Sequence, residues 1–443
     1  MPKQTIKILV LAAAACRMIL AVDLLTLDQA IEIALGQNRG LQNSVLETQK
    51  AQDSVDANRT RQFPSFSLQA LGAQQLQSFD FTIQKGELGN YPGTGPLPGD
   101  DVHLKSPRQP SGLMITKVSQ PLSSLIRIRR NLDTLKTGVE IAKEQTRADR
   151  QKTVRDVRRA YYGLQQLESS LRSVRQTQEL YAELEKLTEN YVAGEVVLKA
   201  DLLDVQTKLA RTDQTALQLR DQMASGKEQL NQLLGRDVLI DFEVQPVLEI
   251  ADDDFNVEAA RERALSQRPE IRQAQLRQKQ AEQDLRAKKA EYIPDISAEF
   301  NGYTLLNYGT FLPTQTTSLG VNVTWEPFDW GRKKHEIASK QRTIDEARNA
   351  RQDTLDAVLI DVNGKYRQLR QSQAQLRVAR LAQETSIESF RVAKNRYAVK
   401  AALLKDVLLS QVGLEQSNSD YQQALVSFWN ARADFERALG EDQ

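Results

Sequence analysis

The stretch AIEIALGQNRGLQNSVLETQKAQDSVDANRTRQFPSFSLQALG, residues 30–72, returns 230 positions later as ARERALSQRPEIRQAQLRQKQAEQDLRAKKAEYIPDISAEFNG, residues 260–302. Eleven of the 43 ungapped positions are identical, among them Ala34/Ala264, Leu35/Leu265, Pro64/Pro294 and Gly72/Gly302. A repeat of this length marks a chain made of two copies of one structural unit. Farther on the offset is 206 for Leu113/Leu319 and Pro121/Pro327, then 205 for Asp201/Asp406 and Gly235/Gly440. Copy one therefore holds 24 extra residues between Gly72 and Pro121. The chain divides into a signal segment, 1–21, a first repeat, 22–235, a linker, 236–256, and a second repeat, 257–443.

Each copy reads as a helix, two strands separated by a loop, a very long helix, a tight turn and a returning helix. In copy one the first helix is expected from Asp28, as N-cap, to Gln62, because Pro64 disfavours helix in the residue before it. Ser65 to about Gln77 reads as strand, and the 27 residues from Gly86 to Gly112, with six glycines and five prolines, read as an exposed loop. The clearest strand is the last: Leu319, Val321, Val323 and Trp325 alternate with Gly320, Asn322, Thr324 and Glu326. Ile296, Ala298 and Phe300 alternate likewise with Ser297, Glu299 and Asn301, and the polar members of both strands form the wet face. Leu113 and Ile115 begin an apolar face that Lys117 interrupts. Beyond the strands, Val157, Ala160, Leu164, Leu167 and Leu171 step by three and four, and so do Leu202, Val205, Leu209, Thr212 and Ala216 after the turn. These heptads predict antiparallel coiled-coil hairpins. From Ile126 to Tyr191, 66 residues give about 100 Å of helix at 1.5 Å per residue.

Composition agrees with long helices rather than a compact enzyme: 26% charged, 6% aromatic, 13 prolines and 21 glycines in 443 residues. The 59 basic and 58 acidic residues leave a net charge of +1, so no field points to nucleic acid. One cysteine excludes an intrachain disulfide, and two histidines with that cysteine cannot supply a His/Cys metal cluster. No cofactor and no enzymatic activity are expected. His103 lies in the Pro/Gly-rich loop and His335 begins a helix, neither beside a nucleophile or carboxylate in sequence. The run Asp252-Asp253-Asp254 precedes a helix, where acids favour the positive end of the dipole, and reads as capping rather than a cation site.

At the N-terminus Lys3 and Lys7 precede an apolar run from Ile8 to Ala15, the pattern of a secretory signal cut between residues 15 and 21. A cut before Cys16 leaves that residue open to lipidation, although Ala13 stands where the usual lipoprotein signal has leucine. A later cut makes the cysteine incidental. No run approaches the ~18 apolar residues of a membrane-spanning helix. Four strands cannot close a membrane barrel, since the smallest need about eight, and an open edge cannot face lipid. A barrel therefore requires strands from several chains. Aromatic residues flank both strand ends, Phe63, Tyr292, Trp325, Phe328 and Trp330 near the prolines and Phe79, Phe81, Tyr303 and Phe311 at the loop end, as in interfacial girdles. The heptads alone also describe a secreted coiled-coil scaffold or adaptor without a pore, and that reading stays open.

Taken in order, these features resemble the TolC-like outer-membrane efflux proteins over essentially the whole mature chain. The resemblance rests on the tandem repeat, on Phe63-Pro64 and Ile293-Pro294, and on Glu326-Pro327-Phe328-Asp329-Trp330-Gly331-Arg332 at the strand-to-helix corner. Asp201-Leu202-Leu203 and Asp406-Val407-Leu408 beyond the turns complete it. Copy one's corner, Gln120-Pro121-Leu122-Ser123-Ser124, lacks the glycine. The resemblance implies a mainly α fold with β: two tandem coiled-coil hairpins and four strands per chain, three chains pooling twelve strands into one transmembrane β-barrel. It implies a homotrimer in outer-membrane lipid with its helical tunnel in the periplasm. Such a trimer is the passive exit duct of a tripartite efflux or type I secretion system, docked to a periplasmic adaptor (membrane fusion protein) and through it to an inner-membrane pump.

The turns, Tyr191-Val192-Ala193-Gly194-Glu195-Val196-Val197 and Tyr397-Ala398-Val399-Lys400-Ala401-Ala402-Leu403, set small and apolar residues at otherwise charged tips. Gly194 suits a left-handed conformation that ends the helix. The family implies adaptor contact by Gly194, Glu195, Val196, Val197, Ala401, Ala402 and Leu403. It also implies a periplasmic gate in which Tyr397 helps tie adjacent coiled coils and Asp406 forms an acidic ring. Leu409 and Ala402 stand where the family often has a second acid and a linking arginine. The alternative for Asp406, as for Asp201, is support of the helix N-terminus after the turn.

Overall fold

The computed structural model describes residues 23–74, 76–106, 108–195, 197–246, 256–307, 313–399 and 401–441. The signal segment with Cys16, the tip residue Val196, Phe311 and Asp252-Asp253-Asp254 lie outside them. The first half of the chain runs β1 (Asp23–Leu25), α1 (Leu27–Gln37), α2 (Arg39–Arg59), β2 (Ser65–Gln74), β3 (Phe79–Ile83), β4 (Asn90–Tyr91), β5 (Gly95–Pro96), β6 (Val102–Ser106), β7 (Pro110–Pro121), α3 (Ser124–Ala193) and α4 (Lys199–Leu234). Then come β8 (Phe242–Val244), α5 (Val257–Gln267), α6 (Pro269–Lys289), β9 (Asp295–Leu306), β10 (Gln315–Thr324), α7 (Arg332–Ala398) and α8 (Leu404–Leu439). Two compact units cut across this order: Met1–Thr48, Ile141–Gln275 and Asn349–Gln443 form one, Gln49–Glu140 and Leu276–Arg348 the other.

In the first unit, the helix expected from Asp28 to Gln62 is broken. Thr26 caps α1 in place of Asp28: Thr26 Oγ1 accepts from the Gln29 N–H at 3.2 Å and Gln29 Oε1 accepts from the Thr26 N–H at 3.0 Å, a reciprocal capping box. Asp28 sits in the first turn. The helix stops at Asn38, whose backbone is extended (φ −60°, ψ 121°). Asn38 Nδ2 donates to the Leu233 carbonyl at 2.7 Å while its Oδ1 accepts from the Leu41 N–H at 2.9 Å. One side chain thus holds the end of α4 and caps α2. Gly235 ends α4 in the left-handed region (φ 76°), where a Cβ would lie 2.0 Å from the Gln37 carbonyl oxygen. Copy two repeats the device: α5 stops at Arg268, and Gly440 (φ 80°) ends α8 where a Cβ would lie 2.9 Å from the Arg268 backbone nitrogen.

The core of this unit surrounds that contact. β1 and β8 pair in parallel, and against them pack Ala30 and Ala34 of α1, Val157, Tyr161 and Leu164 of α3, Leu230 and Leu234 of α4, and Trp429 of α8. The buried Tyr161 hydroxyl lies 2.8 Å from the Leu25 carbonyl and 2.9 Å from that of Gln245, so α3 is tied to the chain on both strands. Burial pushes this phenol up to about 12. Asn256 caps α5, its Oδ1 accepting from the Glu258 N–H at 2.9 Å.

In the second unit β10, β9, β7 and β2 form one antiparallel sheet in that order. Register places Phe66, Val118, Phe300 and Leu319 in one row across all four strands. The next row is Ser67, Lys117, Asn301 and Ser318. Since side chains alternate between faces, the apolar face carries Met114, Thr116 and Val118 on β7, and Leu113, Ile115 and Lys117 lie on the polar face. This corrects the phase expected from the sequence. Lys117 sits there because it reaches Glu299 on β9 at 3.0 Å. At the loop end of the same polar face Leu71, Leu113 and Leu305 form a row, and Tyr303 lies opposite Ile115, so Tyr303 is not on the apolar side with Phe300. The stretch 86–112, expected as loop, contains strands: β4 pairs with β5 inside it, and β6 pairs with β3, which precedes it.

At the corner after β10, Trp330 and Gly331 are both left-handed (φ 55° and 85°). Asp329 stabilises this turn, its Oδ1 accepting from the Gly331 N–H at 3.1 Å and its Oδ2 from the Lys333 N–H at 3.0 Å. Glu326 meets Arg332 at 2.6 Å. Copy one's corner, lacking the glycine, uses Ser123: its hydroxyl donates to the Pro294 carbonyl and accepts from the Ile296 N–H at 2.7 Å, fixing it to the start of β9.

Alanine in the left-handed region costs about 1–2 kcal/mol, and at Gly235 it also meets the Gln37 carbonyl. Gly235→Ala is expected to lower the melting temperature of the purified protein more than Gly440→Ala does. Equal shifts would show that the end of α4 does not dock on the break at Asn38.

Candidate functional site: an open sheet and two helical tips

Two surfaces, one in each unit, carry features that packing within one chain leaves unused. The first is the sheet. β2 and β10 are its edges, each paired on one side only, and both are exposed along their length. Leu319 is 83% exposed and Phe66 69%. Burying one such side chain is worth about 1.5–3 kcal/mol, so a continuous face of them marks a surface that is covered in the working protein. The strands have 10 to 12 residues, against the ~9–11 that cross a bilayer. At the corner end Phe63, Tyr292, Trp325, Phe328 and Trp330 are all exposed, with Phe328 edge-on to Trp330 at 4.8 Å. The opposite face is hydrophilic there: Glu299 accepts from Asn322 Nδ2 and the Ser297 hydroxyl at 3.3 Å each, besides its pair with Lys117.

The second surface is the pair of hairpin tips. After α3, Gly194 keeps a helical bond, its N–H donating to the Asn190 carbonyl at 3.1 Å. The left-handed residue is Glu195 (φ 59°), not Gly194; Glu195 donates to the Val192 carbonyl at 3.0 Å and so makes the reversal itself. After α7 the Ala401 N–H reaches back to the Arg396 carbonyl at 2.8 Å, the six-to-one bond that closes a helix end. Both returning helices then start alike. Leu198 and Leu403 are extended, and their N–H groups donate to Asp201 Oδ2 and Asp406 Oδ2, at 3.1 Å each. Asp406 therefore caps α8 as Asp201 caps α4. Its side chain is also exposed, whereas Tyr397 is buried.

Beneath the tips Tyr397 shares a core with Leu180, Tyr181 and Leu184 of α3, Val205 of α4, and Leu404 and Val407 of α8. Its ring meets Tyr191 edge-on at 6.3 Å, so the tips of the two copies are packed as one body. Burial, with Tyr191 and the Asp201 carboxylate, raises the Tyr397 phenol above its usual value. Thr188 lies within reach of that hydroxyl, yet neither buried group completes a bond of good geometry.

The model of the outer membrane efflux protein family matches residues 30–236 and 260–441. The chain belongs to that family. It is accordingly an outer-membrane protein, and solved structures agree with its fold. Over 94% of this chain and 85% of theirs, it superposes on the CmeC outer membrane channel of Campylobacter jejuni with a TM-score of 0.74 at 16% identity. For the outer membrane protein VceC of Vibrio cholerae the figures are 94% and 96%, 0.71 and 17%. In sequence it is 26% identical over 207 residues to the protein CyaE of Bordetella pertussis. That alignment takes 43% of this chain and spans only 40% of the relative's length.

Of the expected tip residues in this efflux protein, Gly194, Glu195, Ala401 and Leu403 are exposed, while Val197 and Ala402 are half-buried. Leu198, missed in the sequence, is 73% exposed, and the 205-residue offset that pairs it with Leu403 is the signal that finds it. The two unbonded hydroxyls under the tips give a test. Replacing both members of a buried polar pair by apolar groups of like shape is near neutral or stabilising. Tyr397→Phe combined with Thr188→Val should leave the melting temperature unchanged or raise it, by up to about 1 kcal/mol of stability. A clear loss would mean that the hydroxyls do bond in solution.

Proposed function

We propose that this outer membrane efflux protein is a passive trimeric exit duct. Three copies, joined β10 to β2, close twelve strands into one barrel, and their helices enclose a periplasmic passage. The observation that carries the reading is the four-stranded sheet with two unfilled edges and one apolar face. Lipid tolerates no free edge, and water disfavours that face. A poreless scaffold or adaptor leaves both costs unmet. With the apolar face to lipid, Lys117, Glu299, Asn301 and Asn322 line a wet lumen, as barrel interiors require. Cargo is moved by partners, and this chain contributes no covalent chemistry.

The tips are the docking surface for a periplasmic adaptor, which links the duct to an inner-membrane pump. Support comes from Leu198 and Leu403, both exposed and both placed by an aspartate-capped helix start. A charge desolvated in an apolar contact is costly. Leu403→Asp, and Leu198→Asp with it, should abolish export while the yield of trimer is unchanged; undiminished export would remove the tips from the interface.

Asp406 has a second role at the mouth, where three copies of its carboxylate face one axis and favour cations, with Tyr397 tying the hairpins behind it. Asn at 406 keeps a side-chain oxygen for the Leu403 N–H, so Asp406→Asn removes the charge and preserves the cap. In planar bilayers this variant should lose cation selectivity, and Asp201→Asn should not. Identical selectivity in wild type and both variants would leave Asp406 as a capping residue only.

A further inference from the structure

Two of the long helices carry a second apolar stripe. On α7, Val362, Leu369 and Ala379 are buried. At about 3.6 residues per turn, Ile360, Val378 and Leu381 stand on the opposite side, and all three are exposed. They follow a heptad of their own: Ile360, Arg367, Ala374 and Leu381 step by seven, and Val378 lies four beyond Ala374. On α4, Val205, Ala216 and Leu230 are buried, while Leu203, Ala210, Leu217 and Ala224 step by seven along the other side and are exposed. α3 has no such stripe, since Ile126, at its start, is its one exposed large apolar side chain among the described residues. A heptad on a second face is a coiled-coil surface for a further helix.

The charges beside these stripes differ in sign. Asp221 and Glu228 lie along that of α4, and Arg367, Arg370 and Arg377 lie on or beside that of α7. All five are exposed, and none meets an opposite charge among the described residues. The two tips share one core, so height can be counted from them. Asp221 and Glu228 stand 22 and 29 residues beyond Lys199, where α4 starts, and Arg377 and Arg370 stand 21 and 28 residues before Ala398, where α7 ends. Leu217 and Leu381 are at 18 and 17 on the same count. We propose that α4 of one copy packs antiparallel along α7 of the next, with Asp221 level with Arg377 and Glu228 with Arg370. The proposal rests on the reading of three copies in a ring and names the contact between their helices. A second copy is the occupant because each of the two acids on one stripe has an arginine at its own height on the other. Exposed ion pairs add little affinity; the apolar stripes supply that, and the charges fix register and partner. Two copies meeting about a twofold axis would set Arg377 against Arg377 or Asp221 against Asp221, which like charges disfavour. The contact left is head-to-tail, the kind that closes a ring.

Paired cysteines in the full-length protein, in a Cys16→Ser background, test this. After oxidation by copper phenanthroline in outer-membrane fractions, Leu217→Cys with Leu381→Cys should give a reducible ladder of dimer and trimer. Neither cysteine alone should do so, nor should Leu203→Cys with Leu381→Cys, whose heights differ by 13 residues, about 20 Å of helix. Arg370→Glu with Arg377→Glu should lower the yield of the ladder several-fold, and adding Asp221→Arg with Glu228→Arg should restore it. The mass of the unoxidised protein in detergent reports the ring separately. If that mass is three chains but the matched pair gives no ladder, or a single cysteine gives a dimer, or charge reversal leaves the yield unchanged, the helix contact is wrong and the ring stands. If the mass is one chain, the ring reading fails and takes this proposal with it.

Discussion

A backbone N–H or C=O facing hydrocarbon without a partner costs several kcal/mol, and a sheet edge presents a row of them. Four strands from one chain leave two such edges, β2 and β10. Much else in the chain is arranged around that deficit. The strands are long enough to cross a bilayer, and Lys117, the one basic residue on β7, lies on the polar face, where Glu299 answers it across the ladder. The corner turns serve the same end. Asp329 with Gly331 in copy two, and Ser123 in copy one, convert strand to helix without leaving polar backbone unmatched near the aromatic belt.

In the helical unit the governing contact is between chain segments far apart in sequence. The C-terminal glycine of each returning helix lies against the break in the first helix of its own copy, Gly235 at Gln37 and Asn38, Gly440 at Arg268. A side chain at either glycine has no room. The long helices are thus held at their returning ends by backbone-to-backbone approach, and at their tips by a core that both copies share.

The helical hairpins and the alternation in β9 and β10 were legible in the sequence because each rests on short-range periodicity, and the repeat because 43 ungapped positions align at one offset. The break at Asn38 was not: its side chain caps α2 locally at Leu41, but its other bond runs to Leu233, 195 residues away, which no local pattern shows. The phase of β7 misled for a similar reason. Leu113, Ile115 and Lys117 look like a failing apolar face until β9 is set beside them and Lys117 finds Glu299. Gly194 attracted the turn by residue type, while the hydrogen bonds put the left-handed residue at Glu195. For Asp406 the sequence offered a gate ring and support of the helix start, and the geometry supplies the second directly.

The order β10-β9-β7-β2 also bears on how such a sheet is completed. Its inner seam joins β7 of copy one to β9 of copy two, the same antiparallel kind of junction that β10 and a neighbour's β2 must make. Fusing the copies turns one junction in every two from a collision between molecules into the folding of a single polymer. A ring of single-repeat chains needs six subunits to meet, and a ring of these chains needs three. Assembly therefore depends less steeply on how dilute the protein is when it reaches its membrane, and the exposed edges spend less time without partners.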